Sequence, residues 1–103
     1  MKNQHLEDSI KDIARIYFLA LQQMKSNYIS SGEIDSFSPF YRYYIDVERT
    51  FRNLEVVDQR VINNEFFYDA YRDWWVGIYT EKQFKKMKRD AVKHFMEVFN
   101  EIH

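Results

Sequence analysis

Only two glycines and one proline punctuate a chain of 103 residues. Tight turns draw on glycine for left-handed backbone and on proline for a fixed φ. A chain this poor in both lacks the turns of a β-sandwich or barrel, whereas long helices need neither residue. With 46% hydrophobic and 30% charged residues there is enough apolar surface for a packed core, unlike disordered or collagen-like sequences. The length fits one domain, read here as residues 1–103.

The apolar spacing agrees. Leu6, Ile10, Ile13, Tyr17, Leu21, Met24 and Tyr28 recur in steps of three and four, the stripe of an amphipathic helix expected over 6–31. Ser30-Ser31-Gly32 ends it, with Gly32 suited to the left-handed position after a helix. A loop follows from Glu33 to Phe37. Ser38 as N-cap and Pro39 in the first turn then open a second helix, expected over 38–53 with Phe40, Tyr44, Val47, Phe51 and Leu54 on its apolar side. Val57, Val61, Ile62 and Phe66 suggest a third helix that starts near Glu55 or Asp58. Asp69 to Asp73 reads as a turn, and Trp74, Trp75, Ile78 and Tyr79 as a short apolar element containing Gly77. Thr80-Glu81-Lys82-Gln83 has the form of a capping box. It opens a last helix with Phe84, Met87, Ala91, Phe95, Val98 and Ile102 on one side. The expectation is an all-α domain of about five helices.

Several functional classes drop out. Without cysteine there is no disulfide framework, thiolate nucleophile or cysteine-based zinc site, which fits a reducing compartment. Met1 to Leu21 lacks the apolar core of a signal peptide, and no stretch reaches the roughly 20 apolar residues of a membrane span. A cytoplasmic protein without a membrane partner is expected. His5, His94 and His103 lie far apart in the chain. His94 and Glu97 have i,i+3 spacing, but no second carboxylate motif matches them, as a helical metal site requires. Gly32 and Gly77 are too isolated to form a phosphate-binding loop. The chain reads as a non-enzyme with no cofactor.

Charge is the sharper feature. Residues 82–93 carry Lys82, Lys85, Lys86, Lys88, Arg89 and Lys93 against Asp90 alone, +5 in all, which leaves −6 on the remainder of a chain whose total is −1. At about 100° per residue, Lys82, Lys85, Lys86, Arg89 and Lys93 share one helix face, nearly opposite Phe84, Met87, Ala91 and Phe95. Most charge runs are solvated faces. A solubilising face, however, usually alternates sign, and this one does not. A basic helix opened by a cap after a short helix also has the order of a helix-turn-helix unit.

The segment Phe51-Arg52-Asn53-Leu54-Glu55-Val56-Val57-Asp58-Gln59-Arg60-Val61-Ile62-Asn63-Asn64-Glu65-Phe66-Phe67 resembles the opening of the region 4 helix-turn-helix of sigma factors. More closely, it resembles the ArpU-type phage transcriptional regulators. Trp74 to Tyr79, followed by Thr80-Glu81-Lys82-Gln83-Phe84-Lys85-Lys86-Met87-Lys88-Arg89-Asp90-Ala91, looks like the second half of that unit, placed over 55–102. The Trp pair, Phe66-Phe67 and the run to Phe95 look most like a small mollicute family of this sigma-like type. The resemblance covers residues 50 to 100. It implies that Thr80 caps a recognition helix, that Lys82, Gln83 and Lys86 face base edges, and that Lys85, Arg89 and Lys93 face phosphates. The implied partner is double-stranded DNA, with RNA polymerase as a second contact. There is no room for a sigma region 2, so a complete sigma factor is not expected. Lysine lacks the bidentate fork that reads guanine best, so phosphate contacts should dominate.

Nine Phe, eight Tyr and two Trp can fill a small core and still leave rings outside. Tyr41 and Tyr43, which flank Arg42, fall off the stripe of the second helix. They are core-edge tyrosines or an interface, either for a homodimer or for RNA polymerase. The alternative to a DNA-binding regulator is a helical protein-interaction module that binds no DNA and works through this aromatic surface.

Overall fold

The computed structural model describes residues 2–68 and 72–103. Its order is α1 (Lys2–Ser31), α2 (Pro39–Arg52), α3 (Val56–Ile62), a π-helical turn (Asn63–Phe67) and α4 (Glu81–Ile102). Among the described residues the domain is therefore all-α, as expected, but with four α-helices rather than five. The segment expected to supply the fifth, Trp74 to Tyr79, is a set of turns with an isolated bridge between Val76 and Tyr79. Gly77 bends this segment with φ 90°, and so few residues give little return on the cost of nucleating a helix. Arg72 and Asp73 lie in turns, while the remainder of the polar turn expected over Asp69–Asp73 falls outside the described residues.

Local signals set most boundaries. Gly32 adopts φ 76° after α1, and its N–H donates to the Tyr28 carbonyl at 2.7 Å. Ser38 caps α2 by accepting from Phe40 N, with Pro39 at the first position, where its missing N–H costs nothing. Both halves of the α4 capping box are made. Gln83 N donates to Thr80 Oγ1 at 3.1 Å, and Thr80 N donates to Gln83 Oε1 at 2.9 Å.

The core joins Ile10, Ile13, Ala14 and Tyr17 of α1 to Val47, Leu54, Val61 and Ile62, and to Ala91, Val92, Phe95 and Phe99 of α4. Phe67 lies at its aromatic centre, with its ring 5.6 Å from Tyr17, 5.0 Å from Phe51 and 6.1 Å from Phe95. The π turn puts it there. Tyr68 N donates to Asn63 O five residues back, and this wider turn shifts the register so that Phe67 is buried while Phe66 is only half-buried.

Two stripe assignments change. In α3, Val57 is exposed and Asp58 is buried, because Asp58 is hydrogen-bonded to His94. In α2, Phe40 is exposed while Tyr43 turns inward against Phe99 and His103. The α1 stripe also outruns the bundle: beyond Leu21, Met24 is half-buried and Tyr28 exposed. Among the described residues no helix is long and apolar enough to cross a membrane.

Candidate nucleic-acid interface

α4 is anchored along one side and open along the other. Phe84, Ala91, Val92, Phe95 and Phe99 are buried. Lys82, Gln83, Lys85, Lys86, Arg89 and Lys93 are all exposed. Among the described residues, the concavity over the first turns is lined by residues between Thr80 and Arg89 alone. Lys85 pairs with Glu81 one turn back at 3.0 Å. Both side chains are solvated there, and such pairs contribute about 0–1 kcal/mol, so Lys85 exchanges partners readily. Lys82, Lys86, Arg89 and Lys93 have no carboxylate within 4.0 Å among the described residues.

The sixth cation of the run has a different role. Lys88 Nζ lies 3.4 Å from Glu7 and 3.2 Å from Glu65 and 5.6 Å from the centroid of the Phe66 ring. It ties α4 to α1 and to the π turn. Gln83, placed by the resemblance among base-reading residues, has its carbonyl oxygen committed to the cap, which leaves only its amide N–H groups to face a ligand.

The base of α4 is held by aromatics. Trp75 stacks on Phe84 with centroids 4.5 Å apart and ring planes at 5°, and Trp74 meets the same ring edge-on at 5.7 Å. Trp74 Nε1 donates to Glu65 Oε2 at 2.9 Å. The connection between the π turn and α4 runs over residues 68–80. A compact helix-turn-helix joins its helices through about three or four residues, so α3 and α4 are not joined in that compact way.

Two His–Asp pairs also escaped the sequence reading. His94 Nδ1 lies 2.8 Å from Asp58 Oδ2, and His103 Nδ1 lies 2.9 Å from Asp46 Oδ2. The second pair ties the end of α4 to α2. Both aspartates are nearly buried, so each histidine supplies the partner that a buried carboxylate needs. Local spacing around Asp46, Asp58, His94 and His103 gives no hint of these contacts, which span 36 and 57 positions. No group of three or more His, Asp or Glu side chains is placed to hold a metal among the described residues.

At the start of α2 the three aromatic-surface candidates separate. Tyr41 borders an apolar groove between α1 and α2. Arg42 is exposed beside it. Tyr43 belongs to the packing between α2 and α4, and burial raises its pKa above the ordinary tyrosine value.

Compared with protein-family models, curated proteins and solved structures, the chain matches none.

Proposed function

We propose that this chain is a small DNA-binding transcription regulator that docks the open face of α4 on duplex DNA. The observation that carries the reading is the set of five outward cations, Lys82, Lys85, Lys86, Arg89 and Lys93, with one loosely held carboxylate, Glu81, beside them. From Lys82 to Lys93 they extend about 16 Å along the helix axis. A helix of ordinary diameter fits a B-DNA major groove about 12 Å wide, and duplex DNA offers roughly one phosphate charge per 1.7 Å of axis. Lys82 and Lys86 face base edges while Lys85, Arg89 and Lys93 neutralise backbone. The sigma region 4 resemblance supports the role of α4. The long 68–80 connection means that it supports the role of this helix rather than the shape of the whole unit. The N-terminal helices are left to make protein contacts, with RNA polymerase the partner that the resemblance suggests.

Salt tests it. With Lys85, Arg89 and Lys93 on phosphates, the slope of log affinity against log salt is about −2.7, so affinity falls about 40-fold between roughly 50 and 200 mM salt. Charge reversal at Lys85, Lys86 and Arg89 should abolish binding and leave the circular dichroism spectrum unchanged, because all three are exposed. A wild-type chain that shifts no duplex at low salt loses the regulator reading and leaves a helical protein-interaction module.

A further inference from the structure

Two hollows meet on the first half of α2. The larger, of about 560 Å³, is a groove between the end of α1 and α2, and eight of its nine lining residues are apolar or aromatic, with Lys25 the exception. The smaller, of about 350 Å³, lies between α2 and the end of α4 and is mainly polar, lined by Arg42, Asp46, Arg49 and His103 among others. Tyr41 and Ile45 line both, so the two share a wall. We infer that together they bind a fatty carboxylate, with its aliphatic chain in the groove and its carboxylate between Arg42 and Arg49.

Charge selects the head group. Arg42, Asp46 and Arg49 follow one another at i, i+4 and i+7 and so share one face of α2. Asp46 is the one acidic side chain in the smaller hollow among the described residues. It is nearly buried and already held by His103 Nδ1 at 2.9 Å. Arg42 and Arg49 are exposed, and neither has a carboxylate within 4.0 Å among the described residues. The guanidinium fork matches a carboxylate with two parallel hydrogen bonds. A cationic head would instead bring a third like charge to the two arginines.

Size selects a small molecule. Such sites run about 300–1,000 Å³ and are mostly apolar, with a few polar groups that fix orientation. The two hollows fall in that range singly and combined. A standard protein interface draws on about 20–30 residues a side, more than both hollows have between them. From Leu21 to Ile29 the groove follows α1 for about 12 Å. An extended chain of about ten carbons, with bonds near 1.5 Å, has that length.

None of these residues belongs to the open face of α4, so binding can be measured without DNA and stands apart from the regulator reading. Isothermal titration calorimetry of the full chain with decanoate tests it. Decanoate should bind at a single site, decanol more weakly, and decyltrimethylammonium more weakly still. The double variant Arg42→Gln, Arg49→Gln should lower decanoate affinity about tenfold or more, as for a lost hydrogen bond to a charged group, and leave decanol affinity unchanged. Ile29→Glu should weaken both. All three side chains are exposed, so circular dichroism should not change. A chain that takes up no decanoate at millimolar concentration overturns the inference and leaves the groove to an apolar segment of a protein partner. Equal affinity for the three amphiphiles overturns it as well, because the arginines then select nothing. So does a loss of decanoate affinity in Lys25→Gln but not in the arginine double variant, because the head group then lies elsewhere.

Discussion

Removing Lys88 should damage the fold and spare DNA binding, the reverse of what removing its neighbour Lys86 should do. The Lys88 side chain is 30% exposed, and its partners Glu7 and Glu65 are 22% and 15% exposed. The cluster therefore sits between two regimes. Fully solvated pairs contribute about 0–1 kcal/mol, whereas removing one partner of a buried pair costs about 3–5 kcal/mol. One cation here serves two carboxylates and also covers the Phe66 ring. Lys88→Ala would leave two like charges close together with nothing between them. An intermediate loss of about 2 kcal/mol follows, and at about 4–8 °C per kcal/mol for a domain of this size the melting midpoint should fall by about 8–16 °C. Thermal denaturation followed by circular dichroism measures it. Fluorescence anisotropy on a labelled duplex, below the variant's melting range, measures the other arm. Lys88→Ala should keep its affinity within about twofold, whereas Lys86→Ala should melt normally and weaken binding by about 1–3 kcal/mol as a lost base contact. If Lys88→Ala melts like the wild type and loses as much DNA affinity as Lys86→Ala, Lys88 belongs to the open face and the division of the basic run is wrong.

Two further outcomes follow from side-chain packing. Tyr17 is buried and its hydroxyl donates to Glu48, and burial, with that hydrogen bond second, raises its pKa well above the ordinary tyrosine value. Because the folded value is the higher one, this contribution is fully present below about pH 10, where unfolded tyrosine begins to ionise, and is lost as pH rises beyond it. Urea titrations through that range should show wild-type stability falling more steeply than that of Tyr17→Phe, and equal slopes would discard the assignment. Phe84→Ala removes the ring on which both tryptophans rest. Because both tryptophans are only half-buried, it should cost about 2–4 kcal/mol, near the low end for a phenylalanine truncation, and shift tryptophan emission toward that of a solvated indole. Unchanged emission would mean that the 72–79 turns do not depend on α4.

Legibility in the sequence followed the range of each interaction. Ser38-Pro39, Gly32 and Thr80-Glu81-Lys82-Gln83 act within one turn of backbone, so the caps of α2 and α4 and the end of α1 could be read directly. The outward face of α4 was equally plain, because Lys82, Lys85, Lys86, Arg89 and Lys93 share it through helix periodicity alone. Trp74 to Tyr79 misled for the opposite reason. Its apolar residues signal burial, but their partner is the distant Phe84 ring, and burial against a neighbour does not require a helix.

The sequence by itself determined an all-α chain, the positions of three helix ends and the single-sign face of the last helix, since each depends on residues within about four positions of one another. Tertiary structure decided which aromatics fill the core, with the π turn exchanging Phe66 for Phe67. It also withdrew Lys88 from the basic run by pairing it with Glu7 and Glu65, set His94 on Asp58 and His103 on Asp46, and left Tyr28 and Ile29 at the far end of α1 exposed. These depend on groups that only the folded chain brings within a few ångströms, and no local periodicity records such distances.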